Sequence, residues 1–207
     1  GRIVHAGQAC CSSKRFIVQE NIYDEFAGRL AERLKGMKIG DPLDQGSRIG
    51  PLIDERAAQR VEEIVDRTVK AGAYCLCGGR RFDGNFFEPT VLTGVTPAMD
   101  IAQNLEVFGP VFPLIKFKTE EQAVAIADNC TYGLSSGVIS GEIQRAIRVA
   151  RQLDAGNCTI NGTGLYRTHD MPFGGHRKSG LGTEGLYATL DEFTKTKTYV
   201  WKGAAIR

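Results

Sequence analysis

No apolar run in the 207-residue sequence approaches the ~20 residues of a membrane span. The opening residues, Gly1-Arg2-Ile3-Val4-His5, are too short and too mixed for a signal peptide. Charge of one sign is also missing: a net charge of +2 leaves no electrostatic footprint for nucleic acid or a membrane surface. No Gly-x-Gly-x-x-Gly follows a strand near the start, so the usual dinucleotide fingerprint is absent. Gly180-Leu181-Gly182-Thr183-Glu184-Gly185 fits those letters, but it follows a loop and reads as a turn. There is no internal repeat, low-complexity stretch or domain linker.

What is present is ordinary globular composition, 42% hydrophobic and 24% charged, enough for one core. The six cysteines stand at 10, 11, 75, 77, 130 and 158, a spacing that makes no disulfide framework. Cys10 and Cys11 are adjacent, a poor geometry for an ordinary bridge. Cys75 and Cys77 lack the second Cys/His pair that structural zinc needs, so no metal is expected. Reduced thiols and a cytoplasmic setting are the expectation.

Gly7-Gln8-Ala9-Cys10-Cys11-Ser12-Ser13-Lys14 leads straight into the β-type run Arg15-Phe16-Ile17-Val18. That places Cys10 on a loop entering a strand, where a thiol can face a cleft and attack a carbonyl. On spacing alone a second reading stands beside it, a small cysteine packed like a hydrophobe.

Strands and helices alternate along the chain. A strand is expected over 14–19. A helix follows over 21–37, capped by Asn21, with Ile22, Phe26, Leu30, Leu34 and Met37 inward. Asp54 caps a second helix with Val61, Ile64, Val65 and Thr68 inside and Gly72 as its stop. A short strand is expected over 74–77, and 86–92 reads as irregular or extended. The apolar run 111–117 is a strand, and Thr119 with Gln122 forms a capping box for a helix to about Asn129. Tyr132-Gly133 turn the chain into a strand over 134–140. Ser140 then caps a helix with Ile143, Ile147 and Ala150 inward, and 157–161 is another strand. A long glycine-rich loop, 162–180, precedes a short helix near 184–190 and a terminal strand over 194–201. The alternation predicts an α/β fold with a mainly parallel sheet, flanking helices and a protruding C-terminal strand. The expected division is a thiol domain over 1–193 and an oligomerisation strand and tail over 194–207.

Two further motifs stand out. Glu106-Val107-Phe108-Gly109-Pro110 puts a carboxylate at the mouth of a strand, either as an acceptor in a cleft or as a solvated loop group. Pro172-Phe173-Gly174-Gly175 is followed by Lys178-Ser179-Gly180.

In this order, and with Gly7-Gln8-Ala9-Cys10, these motifs resemble the aldehyde dehydrogenase superfamily, specifically its C-terminal catalytic half. The similarity runs over nearly the whole chain. Gly40-Asp41-Pro42, Gly50-Pro51-Leu52, Pro89-Thr90-Val91-Leu92, Tyr132-Gly133-Leu134-Ser135 and Ile160-Asn161-Gly162 support it. The resemblance implies Cys10 as the nucleophile that forms a thiohemiacetal and then a thioester, its own N–H serving the oxyanion. It implies NAD or NADP as cofactor, with Glu106 accepting from the nicotinamide ribose and Phe108 beside the ring. Ala9, Cys11 and Phe173 would line the substrate tunnel. Arg167, if it faces that tunnel, could pair with a carboxylate and favour a semialdehyde acid; the other reading is a solvated loop arginine.

The sequence departs from the family pattern at His5, where Asn is frequent, at Leu105, where a second Glu is usual, and at Thr183, where Arg is common. The relatives are longer, with a cofactor domain ahead of the cysteine, so the chain is expected to be a fragment with little activity alone. Homo-oligomers through the terminal strand are implied, with a small aldehyde as the other partner. Two competing classes remain: a non-catalytic assembly module, and a cysteine hydrolase pairing Cys10 with His5.

Overall fold

The computed structural model describes residues 1–203, and its architecture follows from one strand that is apolar on both faces. The run Val111–Phe117 forms β6 at the middle of a four-stranded sheet. Alternate side chains along a strand point to opposite faces. Phe112 and Leu114 therefore join one core cluster, and Val111 and Ile115 the other. Burial on both sides explains an unbroken hydrophobic run where a half-exposed strand would alternate.

In chain order the strands are β1 (Phe16–Gln19), β2 (Tyr74–Cys77), β3 (Arg81–Phe82), β4 (Phe86–Phe87), β5 (Thr90–Val95), β6, β7 (Tyr132–Gly133), β8 (Ser135–Val138), β9 (Asn157–Ile160) and β10 (His176–Arg177). The helices are α1 (Glu20–Lys35), α2 (Glu55–Lys70), α3 (Glu120–Asp128), α4 (Ile143–Ala150) and α5 (Leu186–Phe193). The main sheet runs β1-β6-β5-β2; β1 and β5 flank β6 in parallel, and β2 adds antiparallel to β5. A second parallel pair joins β8 to β9, and β7 pairs antiparallel with β10. The α/β, mainly parallel expectation holds for the described residues, with β2 making the main sheet mixed.

Helix α2 covers one face of the sheet. Asp54 caps it by accepting from the Ala57 N–H at 2.7 Å. Ala58, Val61, Ile64, Val65 and Thr68 are buried, as their spacing predicts, and Gly72 follows the C-cap Ala71 with φ 108°. Thr119 caps α3, while Gln122 reaches back to the Lys118 N–H, one residue before the cap that an ordinary capping box would serve.

Helix α1 covers the other face and departs from expectation. It starts at Glu20, because β1 runs directly into it with Gln19 at the N-cap; Asn21 lies inside the helix. The buried stripe is Tyr23, Ala27, Ala31 and Leu34, while Ile22 and Phe26 are exposed. The small alanines face the sheet, turning the larger residues toward solvent and the helix edge. Helix α4 behaves similarly: it begins after Glu142, Ser140 only accepts from the Glu142 N–H, and Ala146, not Ile143, is its buried residue.

Two further stretches take definite form. Residues 86–92 hold the hairpin strand β4 and the start of β5, a central strand whose identity comes from pairing with β6. The β5–β6 register shifts between Leu92 and Val95, beside Pro113, which has no N–H to give. The segment 194–201 is exposed and makes no strand ladder among the described residues, the sheet it is expected to join being a second copy's. Residues 204–207 of the expected tail lie outside the described residues.

Candidate functional site

The segment before Cys10 takes an unusual path. His5, Ala6 and Gly7 have φ of 51°, 51° and 78°, three successive residues in the left-handed region. Such conformations are costly for residues with a Cβ and persist where surrounding contacts hold them. Gly7 is held by proximity: a Cβ there would stand 2.3 Å from the Gly109 carbonyl oxygen. The first motif thus lies directly against the second.

Gln8 staples the loop on its other side. Its Oε1 accepts from the Ile53 N–H at 2.8 Å and its Nε2 reaches the Pro51 carbonyl at 3.4 Å. A turn then closes between Ala9 and Ser12, with the Ser12 N–H donating to the Ala9 carbonyl at 3.1 Å. Ser12 is buried and donates to the Gly1 carbonyl at 2.9 Å. Cys10 sits at the corner of this turn and is an exposed residue. Its backbone N–H has no partner among the described residues, which leaves a donor beside the sulfur. Cys11 is half-buried, and its thiol is pushed up by burial and by the neighbouring Cys10.

Two cations bind this turn to the loop 106–110. Arg2 is buried, 1% exposed, and donates to the Val111 carbonyl at 2.9 Å and to the Val107 carbonyl at 2.6 Å. Burial lowers its pKa and Glu106 raises it, so the guanidinium stays charged at neutral pH. Lys14 donates to the Ala9 carbonyl at 2.9 Å, lies 3.5 Å from Glu106 Oε1 and stands 4.0 Å above the centre of the Phe108 ring. Burial, then repulsion from Arg2, brings its ammonium down to about 8, while Glu106 pulls it up. Sequence reasoning gave neither residue a role; the only signal was two basic side chains flanking the cysteine motif.

Ala9, Cys10, Glu106 and Phe108 are therefore brought together. Arg167 and Phe173 form a separate cluster. Arg167 Nη2 pairs with Glu184 Oε2 at 2.9 Å and its guanidinium lies 4.2 Å over the Phe173 ring. Phe173 is buried and exchanges two backbone hydrogen bonds with Glu184. An open groove of about 510 Å³ runs past Arg167, His169, Glu184, Leu186 and Phe193. No described hydrogen bond or ion pair joins this cluster to the Cys10 turn. The loop does begin nearby, since a Cβ on Gly1 would stand 2.8 Å from Thr163.

His5 is exposed, and its ring makes no described hydrogen bond, so nothing in the geometry pairs it with Cys10. Its left-handed backbone accounts for the residue: Asn and His are among the side chains enriched there. Among the described residues no group of three or more His, Cys, Asp or Glu could hold a metal ion, and no helix is long and apolar enough to cross a membrane. The residues do fit a ligand with vicinal hydroxyls and a flat ring. Glu106 is 43% exposed with Oε2 unpartnered among the described residues, and Phe108 presents a half-exposed ring beside it.

Comparison with known proteins gives the family to which the chain is similar. The model of the aldehyde dehydrogenase family matches residues 1–199. The chain is 42% identical over 202 residues to the mitochondrial succinate-semialdehyde dehydrogenase of Rattus norvegicus, covering 96% of this chain and 38% of that protein. It superposes with a TM-score of 0.87 on glyceraldehyde-3-phosphate dehydrogenase from Methanocaldococcus jannaschii complexed with NADP, at 36% identity over 91% of this chain and 41% of that one. Betaine aldehyde dehydrogenase from Staphylococcus aureus in complex with NAD+ gives a TM-score of 0.88 at 37% identity, over 93% of this chain and 39% of that one. The chain spans about two fifths of the length of the curated relatives it matches.

Proposed function

This chain belongs to the aldehyde dehydrogenase family, and we propose that it is the thiol-bearing, catalytic part of an enzyme that oxidises an aldehyde to a carboxylic acid with NAD or NADP. The observation that carries this is an exposed Cys10 at a turn corner, tied through Lys14 to the Glu106 carboxylate.

Cys10 attacks as the thiolate, its sulfur forming a bond to the carbonyl carbon. The carbonyl oxygen takes up the negative charge beside the free Cys10 N–H, one donor of an oxyanion site. Bound NAD or NADP supplies the acceptor for the hydride whose loss turns the Cys10 thiohemiacetal into a thioester. Water then releases the acid and restores the thiol. Glu106 would accept hydrogen bonds from hydroxyls of the bound cofactor, and Phe108 would bound the same space. Ala9 and Cys11 flank the thiol on the path of the aldehyde, while Phe173 is assigned to that path by the family resemblance and lies in the separate Arg167 cluster. No carboxylate or imidazole is hydrogen-bonded to Cys10 among the described residues, so the chain alone turns over slowly or not at all.

Succinate-semialdehyde dehydrogenases among the relatives support an acidic aldehyde as substrate. Arg167 is the candidate carboxylate partner, and its ion pair with Glu184 would open to receive one. Assembly is assigned to the terminal segment. The exposed Tyr199, Val200 and Trp201 suit addition to the sheet of a second copy.

The test measures NAD(P)H formation, with acidic and neutral aldehydes, by a parent polypeptide in which this chain is joined to the N-terminal part of a relative. Activity lost in Cys10→Ala, and a preference for acidic aldehydes reduced in Arg167→Ala, is the expected outcome. Full turnover by the parent carrying Cys10→Ala would overturn the reading.

A further inference from the structure

We propose that Lys14 is a positioning residue: its ammonium ties the turn that presents Cys10 to the loop that presents Glu106 and Phe108, holding thiol and carboxylate at a fixed separation. This rests on the reading of Glu106 as the acceptor on the cofactor side. The geometry is specific. One ammonium donates to the carbonyl of the residue before Cys10, faces the Glu106 carboxylate and lies over the Phe108 ring. The segments it joins are distant in sequence and share no strand. Its neighbour Arg15 points elsewhere, to the carbonyls of Ala102, Ile126 and Ala127.

The charges around Lys14 show why a lysine here differs from a packing residue. Arg2 faces it from the N-terminal segment, Glu106 from the loop and Cys10 from the turn. Arg2 already anchors that loop through Val107 and Val111, so the backbone does not need a second cation for folding. A buried ammonium is costly to desolvate and destabilises the chain unless it is well paired. What Lys14 adds is the link itself. Opening the turn returns this amine to water, where it holds its proton to the ordinary 10.5, so raising the pH from about 8 toward that value favours the closed link, the neutral amine still donating to the Ala9 carbonyl.

Amide hydrogen exchange on this chain, as wild type, Lys14→Arg and Lys14→Met, reads the link directly. Exchange is measured below and above pH 8, after correction for the intrinsic pH dependence. In the wild type the Ser12 amide and the segment 105–109 gain protection together as the pH rises through 8. Lys14→Met shows about tenfold faster exchange at both places at every pH. Lys14→Arg keeps protection and shows no step, since guanidinium stays charged. Unchanged exchange in Lys14→Met, or faster exchange spread over β1, β6 and α2, would overturn the proposal; if that variant fails to fold, the missing step in Lys14→Arg decides. A second arm uses the parent polypeptide. There Lys14→Met raises KM for NAD(P) about tenfold with a smaller change in kcat, and Lys14→Arg restores it. A wild-type parent with no aldehyde oxidation defeats the proposed function, while the exchange experiment still decides the role of Lys14.

Discussion

Gly7 and Gly109 lie so close that a single methyl group on Gly7 would meet the Gly109 carbonyl oxygen at 2.3 Å, and Gly7 also has φ of 78°. Gly7→Ala therefore meets two penalties, about 1 kcal/mol for a left-handed Cβ and more for pushing the loops apart. The expected loss in urea unfolding is at least ~2 kcal/mol. Iodoacetamide labelling of Cys10 should also change, since the turn shifts with its neighbour. A variant with wild-type stability would show that the two loops separate freely.

How much of this was legible depended on range. Asp54 and Thr119 were readable as caps because a cap is settled within four residues. The strand at Val111–Phe117 was readable because both faces are buried. The start of β5 was not, since Pro89 and a short apolar run leave its state to its partner strand. The inward face of α1 was misplaced because sequence patterning favours Ile22 and Phe26, while close packing favours Ala27 and Ala31. Of the site, Cys10, Glu106 and Phe108 stood out by motif. Arg2 and Lys14 did not, because their partners lie about a hundred residues away and only folding pairs them.

His5 has φ of 51°, so its backbone sets what the position tolerates. His5→Asn should leave stability within about 0.5 kcal/mol, whereas His5→Val should cost ~1–2 kcal/mol because a β-branched residue resists the left-handed region. Labelling of Cys10 by an ester probe should be the same in His5→Asn as in the wild type. A large drop would revive the Cys10–His5 hydrolase.

Tyr23 joins α1 to the sheet through its hydroxyl, which donates to the Leu114 carbonyl at 3.0 Å and accepts from the Gly94 N–H at 3.1 Å. The side chain is buried, so Tyr23→Phe leaves both backbone groups without that partner. The expected cost is about 1–3 kcal/mol by urea or thermal unfolding. A smaller effect would mean that water replaces the hydroxyl at the edge of α1.

The Lys14 ammonium gives folding a pH dependence whose sign is fixed. The folded chain sheds this proton at about 8 and the unfolded chain near the ordinary 10.5, so between those values the unfolded state binds more protons. Stability contributed by this group therefore rises with pH across that window and is flat below it. The full swing is on the order of 3 kcal/mol. The measurement is the difference in unfolding free energy between wild type and Lys14→Met from neutral pH upward. Wild type should gain on the variant as pH rises from 8 to 10.5, and a constant difference would refute a depressed ammonium.

The terminal segment separates backbone pairing from side-chain burial. Tyr199, Val200 and Trp201 are 82%, 75% and 85% exposed, and the segment makes no ladder of its own. If it adds to the sheet of a second copy, its backbone donors carry part of that contact. Val200→Pro removes one donor while keeping an apolar side chain, and no fold contact depends on it. Sedimentation should show association weakened at least about fivefold with the melting temperature of dilute protein unchanged. Trp201→Ala should weaken it through lost apolar area instead. Association that survives Val200→Pro and falls only with Trp201→Ala would make the contact one of side chains, with no added strand.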